Sequence, residues 1–338
     1  MEALQDEVDR IAHETGFSGV VRIDRGDNLE LVTAYGLAHR ALQVPNAPDT
    51  QFGIASGVKG LTALTVISLV EDGLLQLSTT ARSILGDGLP LIDDTVTVEH
   101  LLAHRSGIGD YLDEDNDYDV DDYTMTVPVQ QLATTEQYLA VLGGHPTKFP
   151  PGERFSYCNG GFVVLALIAE RASGISFHDL VQQRVCGPAG MIDTAFLRSD
   201  DLPGRAALGY VEMDGEWRTN VFHLPVRGTG DGGIYTTVAD FQSFWPALFA
   251  GRIVSPDWVA EMVRPRSDTP NESFRYGLGC WLDHTGDAVM LEGCDAGVSF
   301  RSWHHPSSHV THTVISNTAD GAWPLTRRLH ERLTATTA

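Results

Sequence analysis

The chain has 338 residues, 42% of them apolar and 20% charged, with 34 glycines and 16 prolines, the composition of a folded globular protein rather than a disordered or fibrous one. Its net charge is −22, Lys59 and Lys148 are the only lysines among 23 basic residues, and no basic run is longer than Arg327-Arg328. That balance argues against a nucleic-acid partner, which needs a concentrated basic stripe to displace counterions.

No stretch approaches the roughly 20 apolar residues of a membrane span. The first ten residues lack the basic and apolar regions of an export signal, so a cytoplasmic location without membrane contact is expected. Cys158, Cys186, Cys280 and Cys294 fall at no metal-ligand spacing and form no dense framework, which predicts reduced thiols in that compartment.

In chain order, Leu4, Val8 and Ile11 sit at helical spacing. The apolar runs Ser18 to Ile23 and Leu29 to Tyr35 then flank Arg25-Gly26-Asp27-Asn28, which predicts a helix followed by a β-hairpin. Gly57 to Leu75 reads as one apolar helix with Ser56 at its start. Shorter helical pieces are expected near Glu99 to Leu102, Val129 to Leu142, Gly160 to Arg171 and Phe177 to Val185. After about residue 205 hairpins return, at Leu278 to Leu291 around Thr285-Gly286-Asp287 and at Ser299 to Asn317 around Pro306-Ser307-Ser308. Trp323 to Leu333 closes the chain as a helix with Arg327, Arg328 and Arg332 on its polar side.

This order predicts an α/β (α+β) fold over residues 1–338: an antiparallel sheet built from both chain ends (1–60 and 205–338), flanked by helices, with a mainly helical region inserted at 61–204. A cleft is expected where the two regions meet.

Ser56-Gly57-Val58-Lys59 places a hydroxyl and an amine three residues apart at the start of an apolar helix, hence on one face. Serine is a poor nucleophile unless a neighbour takes its proton, and a lysine does so when burial lowers its pKa. Downstream, Tyr157 and Asn159 stand two apart in a turn before a second apolar helix. Tyr157 can relay the serine proton, and Asn159 can hold either a substrate amide or Lys59.

Together these segments resemble the class C β-lactamase-like serine hydrolases, which include β-lactamases, D-alanyl-D-alanine peptidases, D-amino-acid peptidases, esterases and acyltransferases. The likeness spans nearly the whole chain. It runs through Phe52 to Lys59, Val96 to Gly107, Pro151-Gly152, Tyr157-Cys158-Asn159, Pro188 to Met191 and Gly230 to Asp240. It implies a covalent acyl-enzyme on Ser56, with Lys59 and Tyr157 managing protons and no metal or organic cofactor needed. The expected partner is a small ester, amide or β-lactam-like molecule.

The family's third motif, a Lys or His followed by any residue and Gly, is altered here. Leu291-Glu292-Gly293 aligns with it, and a shifted alignment puts Cys294 at the basic position; the cation is missing under both. The backbone N–H of Cys294 and that of Ser56 are the expected oxyanion donors, with Gly293 beside them. Loss of the cation weakens carboxylate recognition, unless Arg301 or Arg227 replaces it, and so favours esterase activity over β-lactam or D-alanyl peptide cleavage. An acyltransferase uses the same intermediate, and a non-catalytic binding module is the alternative of another class.

Other features carry plainer expectations. The acidic segment Asp110 to Asp122 reads as a solvated loop that steers neutral or cationic substrates at most; Tyr118 and Thr124 stand where a calcium loop needs Gly and Glu. His104 and Arg105 are expected to be structural, Cys158 and Cys294 small packing residues, and His304 and His305 exposed near a turn.

Overall fold

The computed structural model describes residues 3–115, 119–269, 274–284 and 286–335. Its centre is an eight-stranded antiparallel sheet. In chain order the strands are β1 (Gly19–Arg25), β2 (Asn28–Tyr35), β3 (Ser267–Asp268), β4 (Phe274–Tyr276), β5 (Trp281–Asp283), β6 (Val289–Asp295), β7 (Val298–His305) and β8 (Val310–Ser316). Across the sheet they run β2-β1-β8-β7-β6-β5-β4-β3, so the first two strands join the last six between β1 and β8. Gly26 opens the two-residue turn of the first hairpin at φ 59°, a left-handed conformation that glycine adopts without strain. Both long hairpins lie where the sequence places them, and the β5–β6 connection includes Thr285, outside the described residues.

The strands alternate their apolar residues between two faces. On one face Val21, Ile23, Val310 and Val314 pack under helices α1 (Leu4–Thr15) and α5 (Ala322–Ala335). Glu7 of α1 is buried and accepts ion pairs from Arg328 and Arg332, which turns the basic side of α5 toward α1 rather than wholly to solvent. On the other face Val20, Leu291, Phe300 and Ile315 meet α2 (Val58–Glu71) and α4 (Val238–Phe249).

Helix α2 is buried on every side from Val58 to Leu69, the property of a core helix. With α3 (Asn159–Ser173) it forms the centre of the helical region, and among the described residues every element from Val58 to Ala189 is helical. The helix expected over Gly57 to Leu75 ends at Glu71, and Val129 to Leu142 is not one helix. The latter segment forms two short 3₁₀ turns, Val129–Gln131 and Thr135–Tyr138, and one α turn, Leu139–Leu142, because Leu132 leaves helical geometry and Thr134 starts a new cap.

His304 corrects another expectation. It belongs to β7 rather than to the turn, is 4% exposed, stacks on Trp245 of α4 and hydrogen-bonds Thr311. Both histidines are strand residues and the turn begins at Pro306, so the strand's alternation sends His304 to the α4 face and leaves His305 half-buried on the α5 face. Among the described residues no single helix is long and apolar enough to cross a membrane.

Candidate active site

Ser56 sits in a tight 3₁₀ turn, Ala55–Gly57, that feeds directly into α2. Ala55 holds φ 47°, a left-handed conformation costly for a residue with a Cβ and typical of strain kept at a working site. One helical turn on, Lys59 is 2% exposed. Its Nζ lies 2.8 Å from Ser56 Oγ, 2.8 Å from Asn159 Oδ1 and 2.8 Å from the Asp231 carbonyl. Burial lowers the Lys59 pKa, opposed by the charges of Asp231, Glu114, Asp295 and Asp110. Two of its three partners are pure acceptors. A neutral amine therefore gives both N–H groups to Asn159 and Asp231 and turns its lone pair toward the serine hydroxyl.

The Asp231 carbonyl reaches Lys59 because the chain at 228–233 is pressed between neighbours. A Cβ on Gly230 would lie 2.2 Å from the Phe162 carbonyl of α3, and one on Gly228 would lie 2.1 Å from that of Gly232. Thr62 of α2 fastens the same loop by donating to the Gly230 carbonyl at 2.7 Å.

Tyr157, on the loop before α3, lines the cleft together with Ser56. Its ring stacks on Trp281 at 6.0 Å and 10°, and Lys59 Nζ lies 4.9 Å from the ring centroid. Burial raises the phenol pKa well above 10, with the Glu114 charge adding to it, so Tyr157 holds its proton at neutral pH. His104 packs against Tyr157 at 4.2 Å and accepts from the Cys158 N–H at 3.0 Å; burial drives its pKa well down and keeps the ring neutral. It is structural, as Arg105 is through its bonds to the Arg266 and Gly152 carbonyls.

Strand β6 forms the other wall. A Cβ on Gly293 would lie 2.2 Å from the Ile54 carbonyl and 2.6 Å from the Ser56 nitrogen, so only glycine lets the strand meet the nucleophile turn. Strand β5 pairs with β6 only at Val289 and Met290, which leaves the edge from Leu291 onward beside the nucleophile turn. At the missing-cation position, Leu291 packs against Gly60 of α2. Neither candidate replacement stands free: Arg301 pairs with Glu292 and lies over Trp323, and Arg227 donates to the Phe196 carbonyl.

Cys294 is exposed, because alternate residues of β6 face the cleft rather than α2; it is not a packing residue. Cys158 does pack, and its sulfur caps α3 by accepting from the Gly161 N–H.

The acidic segment is not simply solvated. Asp110 is buried and accepts from the Asn159 and Gly160 N–H groups at the start of α3, a helix end that favours a carboxylate. Its pKa is nevertheless raised to about 6 by burial. Asp113 and Asp115 pair with Lys148, while Glu114 accepts from Asn159 Nδ2 at 3.0 Å. Asn159 thus holds Lys59 and the acidic segment, the second of its two expected roles, rather than a free substrate-binding amide. The residues weighed for a calcium loop include Asp117 and Tyr118, which lie outside the described residues.

All six residues singled out in the sequence meet at Ser56, where two pockets join. The wider one is lined by Tyr157, Trp281, Glu292, Cys294, Arg105 and Arg154. The narrower one is lined by aromatic and apolar residues around Asp231 and Asp295. Tyr111 donates to Asp231, and burial raises the Asp295 pKa to about 7, offset by Lys59 and reinforced by Asp231 and Glu114. Sequence reasoning missed these carboxylates as site residues. The glycines at 228, 230, 232 and 233 were the available signal, since they mark a backbone forced close to other elements.

This fold and this constellation place the chain in the penicillin-recognising serine-hydrolase fold class. The chain belongs to the β-lactamase family, whose model, described as beta-lactamase, matches residues 4–334. It is similar to a solved penicillin-binding protein from Bacillus halodurans, with a TM-score of 0.90 and 34% identity over 96% of this chain and 99% of that one. Among curated relatives it is 28% identical to penicillin-binding protein 4* of Bacillus subtilis over 93% of this chain and 71% of that protein. It is 26% identical to a D-aminopeptidase of Brucella ovis over 89% of this chain, and spans 56% of that relative's length.

Proposed function

We propose that the protein hydrolyses small esters or amides through a covalent acyl-Ser56 intermediate, with ester turnover favoured and no carboxylate required on the substrate. The observation that carries this reading is the 2.8 Å contact between Lys59 Nζ and Ser56 Oγ, with the other two Lys59 partners both acceptors.

In this scheme Lys59 takes the Ser56 proton as Oγ attacks the substrate carbonyl carbon, and the backbone N–H groups of Ser56 and Cys294 receive the oxyanion. Tyr157, kept protonated by burial, gives its proton to the departing oxygen or nitrogen and regains one from the Lys59 ammonium. Water then attacks the acyl carbon, loses a proton to the same pair, and returns Ser56 to its hydroxyl form. Leu291 in place of a cation supports the preference for substrates without a carboxylate.

The carboxylates support a second reading, in which the substrate carries a positive charge; similarity to a D-aminopeptidase agrees with it. Steady-state turnover of three esters separates the readings: a neutral p-nitrophenyl ester, a quaternary ammonium ester and a succinate half-ester. The lead reading expects the neutral ester to be turned over and the half-ester to be poorest; efficient half-ester turnover contradicts it. The second reading adds a pH effect. Asp295, raised to about 7, is protonated below that pH and ionised above it. The ratio of kcat/KM for the cationic over the neutral ester is therefore expected to rise about three- to fivefold as pH increases through 7, the ~1 kcal/mol of a partly screened charge pair. Asp295→Asn should flatten the ratio, and an equally steep ratio in that variant removes the second reading.

The cytoplasmic location remains part of the proposal, supported by four free cysteines, one of them exposed in the cleft.

A further inference from the structure

His305 of β7, His312 of β8 and His330 of α5 converge on the sheet face opposite Ser56. Their ligating nitrogens all lie within 4.8 Å of one another. Register explains the meeting. Trp303 pairs with His312 and His305 with Val310, so His305 and His312 stand diagonally on one face, and α5 lays His330 over them, 4.3 Å from the Trp303 ring. Gly293, beside Ser56, pairs with Phe300. Five residues of β7 therefore separate the cluster from the nucleophile turn, about 17 Å at ~3.3 Å per residue.

Four of the six ring nitrogens of this cluster are buried without partners among the described residues. His312 is 0% exposed, and both its ring nitrogens, together with His305 Nε2 and His330 Nδ1, are buried with no hydrogen-bond partner among the described residues. Buried imidazoles almost always satisfy their nitrogens, and four orphaned in one place is a costly arrangement for rings that merely fill a core. A neutral imidazole nitrogen without a hydrogen-bond partner offers its lone pair to a metal ion. Asp283 and Asp287 bring negative charge to His305, and Asp283 and Glu331 bring it to His330. The opposing cation, Arg301, is paired with Glu292.

We propose that His305, His312 and His330 form a binding site for a divalent transition-metal ion of the zinc type, which ties the C-terminal helix to the last two strands. Imidazole suits such ions, and three histidines leave a fourth tetrahedral position for water. At metal–nitrogen distances of about 2.0–2.1 Å the three nitrogens would stand about 3.4 Å apart, a closing of at most about 1.4 Å from their present separation. His305 and His330 are only half-buried, which opens a path for the ion. The site lies away from Ser56, so its role is to hold α5 in place rather than to act in hydrolysis.

The test is titration of chelator-treated, dialysed protein with zinc chloride by calorimetry, together with metal analysis, unfolding temperature and p-nitrophenyl acetate hydrolysis. The expected result is one zinc per chain, a higher unfolding temperature with zinc, and unchanged hydrolysis. His330→Ala and His305→Gln should each lose the zinc and the thermal shift while keeping hydrolysis. If His330→Ala does not fold, His305→Gln, at a half-exposed position, gives the same readout. No uptake by the folded protein, or undiminished uptake in the folded variants, overturns the proposal. Because hydrolysis is read separately, failure of the metal site is distinguishable from failure of the Ser56 reading.

Discussion

Lys59→Met should lower kcat/KM for a p-nitrophenyl ester by about a thousand- to ten-thousand-fold while leaving the fold intact, because it removes the proposed acceptor of the serine proton. Methionine matches the lysine stem in volume but leaves Asn159 Oδ1 and the Asp231 carbonyl without their donor, so a loss of stability of about 1–3 kcal/mol is expected beside the kinetic effect. Lys59→Arg should not rescue, since a guanidinium cannot accept a proton at neutral pH. The pH profile gives the sign independently. Burial lowers the Lys59 pKa, so the neutral fraction at pH 7 exceeds that of a free lysine, and activity should rise with pH and level off below the usual 10.5. Circular dichroism with steady-state kinetics checks both. A folded Lys59→Met retaining a tenth of wild-type activity would assign the base to another group.

Gly293→Ala should be nearly as damaging. The added methyl would stand 2.2 Å from the Ile54 carbonyl and 2.6 Å from the Ser56 nitrogen, both backbone atoms of the nucleophile turn. Either β6 or that turn must move, which separates the Ser56 and Cys294 N–H groups, the proposed oxyanion donors. Loss of one such donor elsewhere costs about a hundred- to a thousand-fold in kcat. The overpacking should also lower stability by about 1–3 kcal/mol. Rapid kinetics of acylation alongside thermal unfolding measures the two effects separately. Near-normal acylation with a normal unfolding temperature would show that β6 does not shape the site.

Much of the site was legible because its chemistry is local. Ser56 and Lys59 share one helical turn, Tyr157 and Asn159 share one loop, and the hairpins announce themselves through turn residues and alternation. What stayed hidden depends on long-range placement. Asp231 lies 172 positions from Lys59 and offers it a carbonyl, an atom that every residue has. Asp110 and Glu114 read as a solvated acidic run, since nothing local tells that a helix end and Asn159 draw them inward. The histidine cluster needs the register of β7 against β8 and the docking of α5, neither of which is visible in the spacing of 305, 312 and 330. Val129 to Leu142 shows the opposite error, where apolar spacing suggested helix but a break at Leu132 and a fresh cap at Thr134 divided it.

The most direct measurement is intact-protein mass spectrometry of wild type and Ser56→Ala after brief incubation with p-nitrophenyl acetate, and separately with a penicillin. Wild type is expected to carry one acetyl adduct, Ser56→Ala none, and both little or no penicillin adduct, because Leu291 replaces the cation that would meet the penicillin carboxylate. An acetyl adduct of equal yield on Ser56→Ala, or no adduct on folded wild type, would contradict Ser56 as the working nucleophile.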